Sequence, residues 1–147
     1  MNEIRFLDSF IAEAGKTEFP VLTVMQPYAS MLVTGYKTKE FRDWRIPIKY
    51  TGEWILIHAG KREKGKLFVD PILYEDFLFV YGKDLPEHSI LGAVKFDAAE
   101  ETGFRKYKFQ WPVIKSVLFT SEICGVSGKL RIWKYDFKNR ILLKFPD

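Results

Sequence analysis

Apolar and polar residues recur along this chain with two periods, one helical and one extended. Over residues 2–15, apolar side chains return every three or four positions, which predicts an amphipathic helix that Asn2 caps and Gly15 ends. Residues 21–25 and 54–59 are instead mostly apolar runs without alternation, typical of strands buried on both faces. The pattern therefore predicts a helical N-terminal segment followed by a sheet.

Proline and glycine mark two further helices. Pro27 begins the second helix directly after the first predicted strand, and Gly35 ends it. The third helix covers residues 70–81, where Asp70 caps the start and Gly82 ends the helix. Because the second helix begins at a strand end, its free N–H groups are a natural place for an anion.

The remaining pattern is that of strands. Extended segments are predicted at residues 37–44, at 90–96 with a bulge or close contact at Gly92, at 109–119 with an interruption at Pro112, and as a hairpin at 130–137 and 141–145. Together with the short helices, these strands predict one mainly-β (α+β) domain over residues 1–147. Its expected form is a β-barrel with an N-terminal helix and helices flanking the barrel.

Composition allows a sizeable core and excludes several classes of protein. Aromatic residues make up 16% of the chain, and the net charge of +4 is compatible with a phosphate-bearing partner without requiring one. A single cysteine, Cys124, excludes an internal disulfide and a cysteine-based zinc site, so we expect no metal and no cofactor. No apolar run reaches membrane-spanning length and the N-terminus lacks a signal-peptide pattern, so we expect a cytoplasmic protein without a membrane partner.

Two basic segments are candidates for contact with a nucleic acid backbone. Residues 60–66 place Gly60, Gly65 and Lys66 at the spacing of a phosphate-binding loop, but Leu67 stands where a magnesium-binding hydroxyl is required, which excludes a nucleoside triphosphatase. The cations of this loop include Lys61 and Arg62. The second segment, residues 105–109, alternates basic and aromatic side chains. Each segment is either a backbone-following surface or a solvated charged loop.

One block of the sequence resembles a known family. Residues 26–30 read Gln-Pro-Tyr-Ala-Ser, and residues 35–42 read Gly-Tyr-Lys-Thr-Lys-Glu-Phe-Arg. This block resembles the ASCH domain, with weaker similarity at residues 57–59, at 90–94 and after Trp111, so that the resemblance covers roughly residues 20–135. It implies a PUA-like β-barrel that binds RNA or a modified nucleoside. Residues 1–18 would then form a helical extension, 20–137 the ASCH core and 138–147 a last hairpin strand.

Within the resembling block, Lys37, Glu40 and Arg42 are the central candidates. Lys37 follows the second helix and could bind a phosphate or act as a base, while Glu40 and Arg42 share one face of a strand. The three are either a ligand-binding group lining one open cleft beside the Pro27 helix or a structural ion pair that closes the barrel mouth.

Five more residues of the block and the next strand have two interpretations each. Gln26 and Ser30 either read a base or cap the helix, and Tyr28 either contacts the ligand or packs in the core. Trp44 is either a stacking platform for a base or part of the barrel packing. His58 is either a catalyst at a strand end or a core residue with satisfied hydrogen bonds.

Three functions follow from these residues. The first is binding of RNA or a modified nucleoside without chemistry, by a protein expected to be a monomer. The second is a small hydrolase acting on RNA or a nucleoside, with Lys37 and Glu40 as catalytic residues. The resemblance implies, for an amidohydrolase subgroup, a threonine at the position of Glu40 and a glutamate near Lys95, and this chain has neither. The third is a non-catalytic protein-interaction domain.

Overall fold

The computed structural model describes residues 2–104 and 106–138. Among these residues the chain forms eight strands and three short α-helices, with one 3-10 turn at Ile48–Tyr50. The elements are β1 Asn2–Arg5, α1 Leu7–Ala14, β2 Glu18–Gln26, α2 Tyr28–Val33, β3 Lys39–Arg42, β4 Trp54–Arg62, α3 Pro71–Tyr81, β5 Ser89–Phe96, β6 Glu100–Glu101, β7 Phe109–Ile123 and β8 Ile132–Asp136. The fold is therefore mainly β, as the sequence predicted.

The strands form one mixed sheet in the order β1-β7-β5-β4-β2-β8, and the short strands β3 and β6 both pair with the beginning of β7. The pairs β1–β7 and β2–β4 are parallel, and the other pairs are antiparallel. Over the described part of the chain β1 and β8 are the two ends of this order, so the sheet does not close into the predicted barrel. No helix among these residues is long and apolar enough to cross a membrane.

The predicted N-terminal helix is correct only in its second half. Asn2–Arg5 forms a strand that pairs with Ser116–Phe119 of β7, and the helix begins at Leu7 with Phe6 rather than Asn2 at the N-cap position. The strand wins over the helical pattern because the edge of β7 offers it backbone hydrogen-bond partners. Gly15 ends the helix with φ of 70°, as predicted.

The other local predictions agree more closely with the structure. Asp70 caps α3, since its side chain accepts the N–H groups of Ile72 at 2.8 Å and Leu73 at 3.2 Å. Strand β7 runs through Pro112, which was expected to interrupt it; a register shift against β5 at Phe96 lies beside this proline. The predicted strand at 141–145 lies outside the described residues.

The core lies on both faces of the sheet. On the β2–β4 pair, Val21 and Leu56 pack in a cluster beneath α1, while Leu22 and Ile57 pack in a second cluster beneath α2. These strands are covered on both sides, which explains why their sequences are mostly apolar runs rather than alternating ones. The α2 side of the sheet carries the cleft described next.

Candidate functional site

A cleft of about 270 Å³ opens beside α2, between the ends of β2 and β3 and the loops that follow β4 and β6. Its volume is slightly below the roughly 300–1,000 Å³ of most small-molecule sites, which suits one nucleotide unit rather than a length of strand. It is lined by Thr23, Val24, Met25, Tyr28, Lys37, Glu40, Phe41, Arg42, Asp43, Trp44, Glu63, Phe68 and Tyr107.

Glu40 is the centre of the charged wall of this cleft. It lies on β3 and is only 5% exposed. Its Oε2 atom accepts from Arg42 Nε and lies 2.8 Å from Arg42 Nη2, which also donates to the carbonyl of Thr23 at 2.9 Å. The two side chains meet because residues two apart on a strand share a face. Arg42 therefore ties β3 to β2 across the floor of the cleft.

Lys37 completes the charged wall from the segment between α2 and β3. Its Nζ atom lies 3.5 Å from Glu40 Oε1, 4.7 Å from the ring centre of Phe41 and 5.9 Å from that of Tyr28, and it donates to the carbonyl of Lys39. Burial lowers the pKa of Lys37, and the nearby Glu40 carboxylate opposes this by raising it. The ammonium is thus held by rings and a carboxylate, largely out of water.

Aromatic side chains form the remaining walls. Phe41 and Phe68 meet edge to face with ring centres 5.0 Å apart, and Phe68 lies 5.7 Å from Tyr107. The hydroxyl of Tyr28 accepts the N–H of Phe68 at 2.9 Å, which fastens the loop after β4 to α2. Burial raises the pKa of both Tyr28 and Tyr107, so both keep their hydroxyl protons at neutral pH.

Trp44 is the fifth ring of the lining. It packs edge to face on the buried Trp111 at 4.9 Å, and its carbonyl accepts the N–H of the Trp111 indole at 3.1 Å. The guanidinium of Arg131 lies 4.8 Å from its ring centre. Trp44 is half-buried, so one ring both packs against the core and lines the cleft.

The charge of the lining favours a donor-rich occupant over a free anion. Two cations, Lys37 and Arg42, face three carboxylates, Glu40, Asp43 and Glu63. Glu63 also accepts the N–H of Gly65 at 2.9 Å. Carboxylates repel phosphate and accept hydrogen bonds from amino and imino groups, as they do from cytosine N4. The interior of the cleft is therefore better suited to a base than to a phosphate.

Gln26 and Ser30, predicted at the site, do not line the cleft. Both are buried, and they bond to each other: Gln26 Oε1 accepts the Ser30 N–H at 3.0 Å, and Gln26 Nε2 donates to Ser30 Oγ at 2.9 Å and to the carbonyl of Pro86 at 2.7 Å. The Gln26 side chain thus accepts the Ser30 N–H, one of the N–H groups at the start of α2 that were predicted to be free to bind an anion. Their contacts are those of the capping interpretation.

His58 lies inside strand β4, is 1% exposed and does not itself line the cleft, although it bonds to the lining residue Thr23. Its Nε2 atom lies 2.6 Å from the carbonyl of Val126 and its Nδ1 atom 3.1 Å from Thr23 Oγ1, which also accepts from the indole of Trp133 at 3.1 Å. These partners suit a neutral ring that donates from Nε2 and accepts at Nδ1. Burial lowers the pKa of His58, in agreement with that form.

Lys61 and Arg62 are exposed at the end of β4 and do not contribute to the lining. The Arg62 guanidinium donates to the carbonyl of Lys83 at 3.2 Å, and its backbone N–H donates to Glu87 at 2.8 Å. The structure thus brings together Tyr28, Lys37, Glu40, Arg42 and Trp44, and leaves the other five candidates elsewhere. Within residues 2–104 and 106–138, no three His, Cys, Asp or Glu side chains group as metal ligands.

Several lining residues were missed from the sequence. Tyr107 belongs to the basic and aromatic segment at 105–109, so a signal for it existed. Strand alternation puts Phe41 on the face opposite Glu40 and Arg42, yet it lines the cleft near the end of β3. Glu63 and Phe68 come from the loop before α3. Nothing in the local pattern shows that this loop folds over the cleft.

Comparison with known protein families supports the resemblance seen in residues 26–42. The model of the ASCH domain matches residues 22–111, which is more than half of the sequence. The chain belongs to the ASCH domain family. Every residue lining the cleft lies within the matched range, whereas the weaker pattern after Trp111 lies beyond it. ASCH domains are generally of RNA-binding type. A search among curated proteins finds no match.

Proposed function

We propose that this ASCH domain binds single-stranded RNA by taking one base, standard or modified, into the cleft beside α2. The observation that carries the proposal is a largely buried Lys37–Glu40–Arg42 group that faces open space between aromatic walls. A structural ion pair that closed the sheet end would leave no such space. The open volume of about 270 Å³ therefore supports a binding site over a plug.

The polar groups of the wall suit the edge of a base. Glu40 Oε1 lies 3.5 Å from Lys37 and has a second lone pair that can accept from an exocyclic amine, while Lys37 is a donor to a carbonyl oxygen of the base. The rings of Tyr28, Phe41 and Tyr107 offer faces or edges for stacking, which contributes roughly 1–3 kcal/mol per base. A flipped-out or unpaired base is required, since bases in an A-form helix do not present these edges to side chains.

The test is binding of short single-stranded RNA of each base composition, followed by fluorescence anisotropy. Tyr107→Ala removes one aromatic wall without entering the buried core, and we expect it to weaken binding by about 5- to 150-fold, the equivalent of one lost stacking contact. The matched control is Phe79→Ala on α3, since Phe79 is 93% exposed and outside the lining. Absence of RNA binding by the unaltered protein would reject the proposal, and an equal effect of both variants would reject this cleft.

A second candidate function is hydrolysis of RNA or of a nucleoside. It is favoured by one observation: the Lys37 amine lies 3.5 Å from Glu40 Oε1 with its side chain only 10% exposed, and this burial lowers its pKa, which makes the amine more available as a base. It is weakened by the residue at position 95. The amidohydrolase subgroup implies a glutamate near this position, whereas here Lys95 lies with its amine 4.8 Å from the ring centre of Trp54 and outside the cleft lining. Product release from labelled RNA or acylated nucleosides, lost in Lys37→Met but retained in Lys39→Met, would favour the hydrolase.

A further inference from the structure

A second hollow adjoins the cleft on the side of α3. It measures about 340 Å³ and is lined mostly by apolar groups, with Lys39, Thr38 and Asp70 among the polar ones. We call it the α3 groove. Three residues, Lys37, Phe41 and Phe68, line both hollows. The cleft and the α3 groove are therefore neighbouring compartments with a common wall.

The common wall is aromatic. Phe41 and Phe68 form its edge-to-face pair, and Phe104 adds a third ring from the groove side, with its centre 6.1 Å from each of the other two. Phe104 is 54% exposed and Leu73 is 43% exposed, so the groove presents apolar surface to solvent. Flat apolar surface beside a base site is what a second base stacks on.

Exposed cations lie at the rim of this wall, in addition to the two cations of the cleft lining. The exposed ammonium of Lys106 lies 5.7 Å from the ring centre of Phe68 and 5.5 Å from that of Tyr107. Lys37 borders both hollows and Lys39 borders the groove. A phosphodiester joining bases on the two sides of the wall would pass over it, close to these amines. The interior of the cleft, in contrast, has more carboxylates than cations.

We propose that the α3 groove is a second base subsite, which takes the nucleotide adjacent to the one in the cleft on the same RNA strand. The inference rests on the proposed function of the cleft. It specifies the ligand further: the preferred ligand is a dinucleotide or longer segment, with one base on each side of the Phe41–Phe68 wall and the connecting phosphate near Lys106. A free nucleoside uses only one of the two compartments.

The experiment compares a nucleoside monophosphate with the dinucleotide that extends it, by calorimetry or competition against labelled RNA. We expect the dinucleotide to bind the unaltered protein about 5- to 150-fold more tightly, the range of one added stacking contact. Leu73→Ala should remove much of this gain and leave the affinity for the monophosphate unchanged, because Leu73 lines the groove and not the cleft. Val80→Ala, 59% exposed on α3 and outside both hollows, is the matched control.

The outcomes separate the two proposals. Equal affinities for monophosphate and dinucleotide, or equal losses for both ligands in Leu73→Ala, overturn the second subsite and leave the cleft in place; the groove would then be open to a protein segment instead. Failure of the monophosphate, the dinucleotide and longer RNA to bind overturns the cleft itself, and the groove proposal with it.

Discussion

Glu40 is the residue on which both cations of the cleft depend. Removing one member of a buried ion group leaves its partners charged and unpaired, at a cost of about 3–5 kcal/mol when burial is complete. Arg42 keeps 23% side-chain exposure and a bond to the Thr23 carbonyl, so the cost here is smaller. We expect Glu40→Ala to lower the free energy of unfolding by about 2–3 kcal/mol in urea denaturation.

The chain offers a matched control for this prediction. The Arg45–Glu101 pair is 3.8 Å apart with side chains 59% and 79% exposed, and solvent screens it. Glu101→Ala should therefore change stability by less than about 0.5 kcal/mol. If Glu40→Ala lowers the free energy of unfolding no more than Glu101→Ala does, the ion pairs of Glu40 with Lys37 and Arg42 do not stabilise the fold.

His58 gives the protein a defined pH dependence of stability. Burial lowers the pKa of His58 below its ordinary value of 6.5. Just below pH 6.5, His58 is therefore protonated in the unfolded chain but still neutral in the folded chain. Stability is complete above pH 6.5 and falls as the pH drops toward the lowered pKa, by at most about 1.4 kcal/mol per pH unit. Urea denaturation at several pH values across this window should show the fall, and His58→Gln should reduce it.

The control for this pH dependence is the second histidine. His88 is exposed with φ of 53°, a conformation that asparagine adopts readily, and its charge contributes less than burial to the lowered pKa of His58, so His88→Asn should keep most of the fall. An undiminished fall in His58→Gln would assign the pH dependence to other groups.

The residues of the site were predictable to the extent that they are close in sequence. Glu40 and Arg42 meet through strand alternation, which the sequence shows. Gln26 and His58 lie elsewhere because each bonds to a distant carbonyl, of Pro86 and Val126 respectively. Hydrogen bonds between residues 60 or more positions apart leave no local signal in the sequence. The sequence therefore could not decide between a functional and a structural role for Gln26 and His58.

At the scale of elements, the approach of β5 to β7 depends on a glycine. A Cβ atom at Gly92 would lie 2.0 Å from the carbonyl oxygen of Val117 and 3.1 Å from a methyl group of Val33. Because backbone rather than a flexible side chain is in the way, Gly92→Ala must displace a strand. We expect a loss of about 3 kcal/mol in the free energy of unfolding, measured in urea.

Gly52→Ala provides the comparison. Gly52 has φ of 73° and nothing within 4 Å of the added Cβ, so its substitution carries only the backbone penalty of about 1 kcal/mol. Equal losses at the two positions would mean that the sheet opens at Gly92 without strain. The bulge or close contact expected there from sequence is present as a close contact and a register shift.

Helices and strands were predictable where their own residues cap or end them, and less so where pairing with a distant strand determines the secondary structure. Helix α3 follows from Asp70 and Gly82 alone, which cap and end it. Residues 2–5 carry the same helical spacing as α1 but pair with β7, and the sheet edge that captures them is more than one hundred positions away. Local periodicity cannot show such a partner.

At the scale of the whole molecule, the cleft is assembled from four separate stretches: β2 with the start of α2, residues 37–44, the loop after β4, and Tyr107. The family resemblance covered all of them, and the sequence offered candidates in each: Tyr28, residues 37–44, and the two basic segments at 60–66 and 105–109. The sheet arrangement that brings them together, open rather than closed over the described residues, follows from strand pairings that composition and periodicity do not specify.

The distribution of charge predicts how RNA binding depends on salt. The chain has a net charge of only +4, and the cleft interior holds three carboxylates against two cations, so base contacts should supply most of the affinity. The exposed amines near the common wall, Lys39 and Lys106, leave room for two phosphate contacts, since Lys37 is paired with Glu40. For single strands this predicts a slope of log affinity against log salt of about −1.4.

Anisotropy titrations between about 50 and 200 mM salt measure this slope. Lys106→Gln should make it shallower by about 0.7, the contribution of one phosphate contact, whereas Lys61→Gln should leave it unchanged because Lys61 lies at the exposed end of β4 outside both hollows. A much steeper slope that Lys61→Gln reduces would place the RNA backbone along the basic loop after β4. In that case the RNA strand would not pass over the rim of the Phe41–Phe68 wall, and the base in the cleft would be connected to a backbone on the side of the loop after β4.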